Sequence, residues 1–267
     1  MKVFVFNVGD FPIDLSEVYG ADEAKRRFGP DAANAWFPSN SMLITAPGAV
    51  VVVDPGDSSR LAAAMNPKPD PARFRPVPLA RQMERLGVRG EDVTQVVVTH
   101  LHFDHFAGVT REVDGHRVPS FPGARHLIPA ADWNMPDIAD GRRKGDRDLA
   151  STLGVLEKAG LVDLVSSRVR IAPGLATEPY PGESPGHQVV SVSSGGSRCY
   201  CIGDLFHVAP EVDHPELMAV WVDREALRAS KAKFAARASK ERALVLGGHM
   251  RPGWITESRG AHRWKEA

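Results

Sequence analysis

The sequence predicts an α/β chain, and two observations carry that prediction. Short β-branched runs alternate with helix patterns, and two of the runs are apolar at almost every position. The runs are VFVF at 3–6, SMLIT at 41–45, AVVVVD at 49–54, QVVVTH at 95–100, ARHLIP at 124–129, VVSVSS at 189–194 and SRCYCIGD at 197–204. Strands as uniformly apolar as VVVV and QVVV need cover on both faces, from helices or from a second sheet.

Taken in order, the first run sits in MKVFVFNVGDFPID, where Asn7 and Asp10 interrupt a short apolar stretch. That stretch is too short for a signal peptide and reads as a first strand. Pro47-Gly48 is a turn signal, so 41–54 reads as a hairpin. Segments 55–77, containing NPKPDPARFRP, and 134–145, containing MPDIADGRRKGD, are predicted as long loops. A helix over 78–87 starts at Pro78 and stops at Gly87. A second, over 146–159, puts Leu149, Leu153, Leu156 and Ala159 on one face and stops at Gly160. A third, over 223–239, opens at a capping Asp223 and groups Leu227, Ser230, Phe234 and Ala238.

Composition excludes several classes. Lys plus Arg is 33 and Asp plus Glu is 33 in 267 residues, so no basic excess favours a nucleic-acid backbone or an anionic membrane. No apolar run reaches the ~18–20 residues of a membrane helix. The two cysteines, Cys199 and Cys201, lie two apart on one strand, where they are poor disulfide partners and fit core packing. A cytoplasmic protein is expected, as one domain over 1–267 with insertions near 55–77 and 134–145; a homodimer is compatible with the sequence.

The ten histidines are unevenly placed. THLHFDH, directly after the buried strand QVVV, holds His100, His102, Asp104 and His105 within six positions. Four such donors crowd one tetrahedral ion, so two metals, each completed from elsewhere, is the simpler arrangement. The completing donors are His187 in ESPGH, Asp204 in CIGD and His249 in LVLGGHM, each at a strand end or in the loop beside it. His116, His126, His214 and His262 have no such company and are expected to be structural or exposed.

THLHFDH, ESPGH, IGD and GGH together resemble the motif set of the metallo-β-lactamase superfamily of dinuclear metallohydrolases, over almost the whole chain. The resemblance implies an αββα sandwich of two mixed sheets flanked by helices, with metals at one edge. It implies that His100, His102 and His187 hold one metal, that Asp104, His105 and His249 hold the other, and that Asp204 bridges both. Asp54, in VVVDPG, is then expected to orient the metal loop by hydrogen bonding. Zinc is the expected ion, with manganese, iron or cobalt as alternatives.

The branch is suggested by GDLFHVAPEVDHPELMAVWVDREALRA, which is similar to N-acyl-homoserine lactone lactonases and methyl parathion hydrolase-like enzymes. The lactonases carry a Tyr three residues after the bridging Asp; this chain has His207, implying a hydrogen-bond donor or proton carrier there. The implied reaction is attack of a metal-bridging hydroxide on a lactone or carboxylic ester, with Asp104 passing a proton to the leaving group. A phosphotriester or thioester hydrolase of the same fold stays open, as does a non-catalytic metal-binding module, against which the intact donor set argues. Phe103, Phe106, Trp133, Met135, His207, Met218 and Trp221, with Trp36 and Phe37 at a rim, are the expected walls of a pocket. They suit a small neutral substrate with an acyl or aryl group.

Overall fold

The computed structural model describes residues 1–65 and 69–267. Its strands are β1 (Lys2–Ile13), β2 (Ala35–Ala46), β3 (Ala49–Val53), β4 (Gln95–Val97), β5 (Thr110–Val113), β6 (His116–Pro119), β7 (Arg125–Pro129) and β8 (Val162–Val165). They continue as β9 (Val169–Ala172), β10 (Leu175–Pro179), β11 (Gln188–Ser194), β12 (Ser197–Cys201), β13 (Leu244–Leu246), β14 (Gly253–Ser258) and β15 (Ala261–Glu266). One mixed sheet runs β1-β2-β3-β4-β7-β8, a second runs β15-β14-β13-β12-β11-β10-β9, and β5 and β6 form a separate hairpin. β3, β4, β7 and β8 run parallel, as do β12 and β13; the other pairs in the two sheets are antiparallel.

The apolar runs explain the layering. Alternate residues of a strand face opposite sides. Met42, Ile44, Val51, Val53 and Val97 of the first sheet therefore pack with Leu175, Val190, Val192, Cys201 and Leu246 of the second, filling the space between the sheets. Their neighbours Leu43, Val52, Val96, Val98 and Ile128 face outward against Leu79, Met83, Leu153 and Leu156 of flanking helices. On the far side Tyr200, Ile202 and Val245 meet Leu227, Phe234, Ala235 and Ala238 of helix Arg224–Glu241. Helix, sheet, sheet, helix is the order of layers, as the resemblance implied. Asp223 caps the last helix by accepting from the N–H groups of Glu225 and Ala226 at 3.1 Å, satisfying donors that a helix start leaves open.

Several local expectations change. The predicted loop 134–145 is largely the helix Pro136–Lys144. Its polar composition hid it, but Pro136 stands at the first helical position and Gly145 takes a left-handed φ of 86° at the end. The predicted loop 55–77 contains the helix Ser58–Ala64, and its residues 66–68 lie outside the described residues. The helix expected over 146–159 is two short ones, Arg147–Ala150 and Leu153–Lys158, broken at Thr152 (ψ −88°). The helix expected over 78–87 is Leu79–Glu84. The β14–β15 hairpin had no counterpart in the strand pattern. No helix among the described residues is long and apolar enough to cross a membrane.

Candidate metal centre

The donor-bearing segments converge at one edge of the two sheets. β4 leads into His100, His102, Asp104 and His105; β12 leads into Asp204; and β13 leads through Gly247-Gly248 into His249. Glycine is required where these loops cross. A Cβ on Gly248 would lie 2.7 Å from Asp204 Oδ1 and 2.8 Å from His105 Cε1. Gly203 combines a left-handed φ of 50° with a close approach to Thr99 Oγ1.

Two groups of donor atoms result, each mutually within 4.8 Å: His100, His102, Glu183 and Asp204, and Asp104, His105 and His249. Asp204 Oδ2 belongs to the first and also reaches the second, lying 3.7 Å from His100 Nε2 and 3.2 Å from both His105 Nε2 and His249 Nε2. His100 Nε2, His105 Nε2, Glu183 Oε2, Asp204 Oδ1 and His207 Nε2 are buried with no hydrogen-bond partner among the described residues. Buried polar atoms of a native protein are satisfied, so convergent orphans of this chemistry fit divalent cations.

His187 stands beside the first group, its ring 5.3 Å from that of His100. Its Nδ1–H donates to the Tyr180 carbonyl at 3.1 Å, and its Nε2 accepts the Asp204 backbone N–H at 3.3 Å. Burial pushes its pKa down to about 3, which keeps the ring neutral. Glu183, at the head of the same ESPGH turn, joins the first group, with Oε2 3.4 Å from His100 Nε2 and Oε1 3.3 Å from His102 Nδ1. Glu183 lies four positions before His187, and a lone Glu there carries no sequence signature.

His105 and His249 are each oriented from behind. His105 Nδ1 donates to Asp54 Oδ2 at 3.0 Å, and Asp54 also accepts the Thr99 N–H at 2.7 Å and the Thr99 hydroxyl at 2.8 Å. Asp54 itself has a φ of 49°, uncommon for a residue with a Cβ. His249 Nδ1 donates to the Pro38 carbonyl at 2.8 Å, while the Asn40 amide holds the Gly247 and Met250 carbonyls on either side. A further tie is Asp132, fully buried, which accepts from the Leu101 N–H, the Ser184 hydroxyl and the Gly186 N–H, locking the two ligand loops together.

Electrostatics follow from crowding charges in a dry site. Burial opposes charge on His249, but Asp204 and Asp104 outweigh it and lift its pKa to about 10. Burial opposes ionisation of Asp104, but His105 and His249 hold its pKa at about 2. Burial raises the pKa of Glu183 and sends that of His100 well below its ordinary value.

The expected pocket residues divide. Phe106, Trp133 and Met218 are core, at 1%, 6% and 3% exposure; Trp133 lies under the Arg142 guanidinium, 3.5 Å from its ring centre. Phe103 is half-buried beneath Arg60. Trp221 alone of the set is exposed and beside the centre, its ring 6.0 Å from that of His102 and 5.9 Å from that of His207. Phe37 is buried against His249, ring centres 5.1 Å apart. Of the four unaccompanied histidines, His126 is buried in the first sheet and His116 is exposed.

This fold, with histidine and carboxylate clusters at the sheet edge, defines a metallo-β-lactamase-type protein. A family model described as the metallo-β-lactamase superfamily matches residues 34–249, and the chain belongs to that family. It is similar to an N-acyl homoserine lactonase of Rhizobium radiobacter, 25% identical over 249 residues that cover 84% of this chain and 86% of the relative. It is also 29% identical to a probable metallo-hydrolase of Mycobacterium bovis over 151 residues, 51% of this chain and 44% of the relative, so it spans less than half the length of that protein. Among solved structures, AidC, a dizinc quorum-quenching lactonase in complex with a product, superposes with a TM-score of 0.75 over 99% of this chain and 94% of AidC. At 18% identity, that likeness speaks for the fold.

Proposed function

We propose that the chain is a dinuclear metal-dependent hydrolase acting on lactones or carboxylic esters. The observation that carries this reading is the placement of Asp204 Oδ2 between the two donor groups. His100, His102 and Asp204, with His187 and Glu183 beside them, would hold one divalent ion; Asp104, His105 and His249, with Asp204 shared, would hold the other. When bound, two such ions supply water activation near neutral pH and Lewis-acid polarisation of an acyl carbonyl. Zinc suits the imidazoles; the carboxylates also suit manganese, iron or cobalt.

The chain's own groups do the rest. Asp54 and the Pro38 carbonyl fix the tautomers of His105 and His249 so that each Nε2 faces inward. Asp104, with Oδ2 3.1 Å from His249 Nε2 and its side chain 16% exposed, is the carboxylate best placed to carry a proton to a leaving alkoxide. Trp221 offers an apolar wall at the mouth, suited to the acyl or aryl part of a small neutral substrate. The lactonase names of the Rhizobium relative and of AidC favour a lactone over a phosphotriester or thioester.

The test is metal analysis of the purified protein combined with turnover of lactone, aryl ester, thioester and phosphotriester panels. Two ions per chain with lactone or ester turnover is the expected result. Preferred phosphotriester or thioester turnover would redirect the reading to another substrate class, and metal uptake without turnover of any panel would make the chain a binding module.

A further inference from the structure

Val220, at 61% exposure, is the most exposed large apolar side chain among the described residues, and its neighbour Trp221 is 47% exposed. Single exposed apolar residues are ordinary on a protein surface. Two side by side at the mouth of a polar centre are a patch that calls for a partner. Among the donors, the His102 side chain is 42% exposed and that of Asp104 16%, while those of His100, His105, Asp204 and His249 are at 4% or less. The centre therefore opens beside His102 and Asp104. The Trp221 ring stands on that side edge-on, at 77° to the ring of His102 and 86° to that of His207. Val220 lies beyond it, with Cγ1 3.9 Å from where a Cβ on Gly20 would stand.

The pair is held in place. Leu217, Met218, Ala219 and Val222 around it are buried in the core. The Val220 N–H donates to the Val18 carbonyl at 2.8 Å, and the Asp223 N–H donates to the Gly182 carbonyl at 2.9 Å. The Trp221 indole N–H is tied to Glu183 at 3.0 Å. Val18 belongs to helix Leu15–Tyr19, which is anchored in turn. Tyr19 donates its hydroxyl to Oε1 of the buried Glu211, and Lys231 donates its ammonium to Oε2, each at 2.6 Å. The charges beside the pair are already partnered, Glu216 with Arg27 and Asp223 with the helix N–H groups that it caps. The result is a fixed apolar ledge that starts at the donor groups and runs outward.

We propose that Trp221 and Val220 are the platform for a hydrocarbon acyl chain and set a preference for chain length. A carbonyl brought to the open side, beside His102 and Asp104, lays its substituent first against the indole and then against Val220. A surface that is already ordered gives up little freedom on binding, so the apolar area it covers is expressed in affinity. A fully buried methylene is worth about fourfold, and one covered on a single face about twofold. Acetyl, charged and strongly polar acyl groups gain nothing from the ledge. This inference rests on the proposed function and specifies the acyl part of its substrate.

The test is hydrolysis of para-nitrophenyl esters from acetate to octanoate by the metal-loaded protein. Calorimetric binding of acetate, hexanoate and octanoate supplies a readout that needs no turnover. In the wild type, kcat/KM and affinity should rise about twofold per methylene until the chain passes Val220 and then level off, with the gain in KM. Val220→Asp should cut the preference for hexanoate over acetate roughly threefold to tenfold at unchanged metal content. That side chain is exposed and the backbone bond to Val18 remains, so the fold is not at stake. A flat wild-type series, or a Val220→Asp with the wild-type slope, would overturn the proposal and leave the hydrolase reading standing. A slope in carboxylate binding without turnover of any ester or lactone would support the ledge and sink the hydrolase reading. Neither turnover nor binding would sink both. The wild-type series needs no variant, so it decides the matter alone.

Discussion

The indole N–H of Trp221 donates to Glu183 Oε1 at 3.0 Å, so a ring that is 47% exposed steadies a carboxylate that is 3% exposed. The bond fixes one oxygen of Glu183 and leaves Oε2 directed at His100. Trp221→Phe keeps the apolar wall and removes the donor. It should weaken one metal a few-fold to roughly tenfold, read by competition with a chelator, with little change in thermal stability.

Glu183 and His187 stand in one turn beside the first group. Glu183→Ala removes a donor of the first group, and the bound-metal stoichiometry should fall from two to one at micromolar metal. His187→Ala should weaken the same ion and lower stability by about 1–3 kcal/mol, because the Asp204 N–H and the Tyr180 carbonyl lose their buried partner. Elemental analysis and chemical denaturation of both variants check this; two tightly held ions in a fully folded His187→Ala would remove that residue from the ligand set.

Asp54 binds no metal atom in this arrangement, yet it takes three hydrogen bonds from the loop that supplies three of the histidines. Asp54→Ala should cut affinity for the ion held by His105 roughly 10–100-fold, measured by calorimetry. Unchanged affinity would show that the loop holds its shape unaided.

Gly248→Ala tests the close approach of the two loops. A methyl group there meets Asp204 and His105 together, so metal content and turnover should both collapse. The sheets lie elsewhere, and circular dichroism should stay near wild type.

His126 supplies a pH test away from the metal centre. Burial lowers its folded pKa to about 4 from an ordinary 6.5. The unfolded chain therefore binds a proton that the folded one refuses, and stability contributed above pH 6.5 is lost as pH falls towards 4. The loss amounts to roughly 3 kcal/mol. His126→Leu should flatten the acid side of the stability profile by about that amount, read from urea midpoints between pH 7 and pH 4.

Patterns of burial were legible in the sequence where one residue after another shared them. VVVV and QVVV announced strands covered on both faces, and the four donors of THLHFDH, with Asp204 and His249, announced the centre. What escaped depended on tertiary direction. Phe106, Trp133 and Met218 are apolar residues beside functional segments, and only packing decides that they turn inward to the core. Glu183 is one carboxylate among many until the turn before His187 aims it at His100. Glu211 and Lys231 lie 20 positions apart, and no local pattern links them. Helix Pro136–Lys144 lacks an apolar stripe, so only its end residues marked it.

The Pro38 carbonyl and His249, which share a hydrogen bond, are 211 positions apart, and the ligands between them come from both sheets. Contacts so distant along the chain close late, because the intervening loop entropy must be met first. Neither half of the molecule owns a complete cage. Metal capture during refolding should consequently lag behind secondary structure and coincide with docking of the sheets, which makes the bound ion a timestamp for the last step of folding.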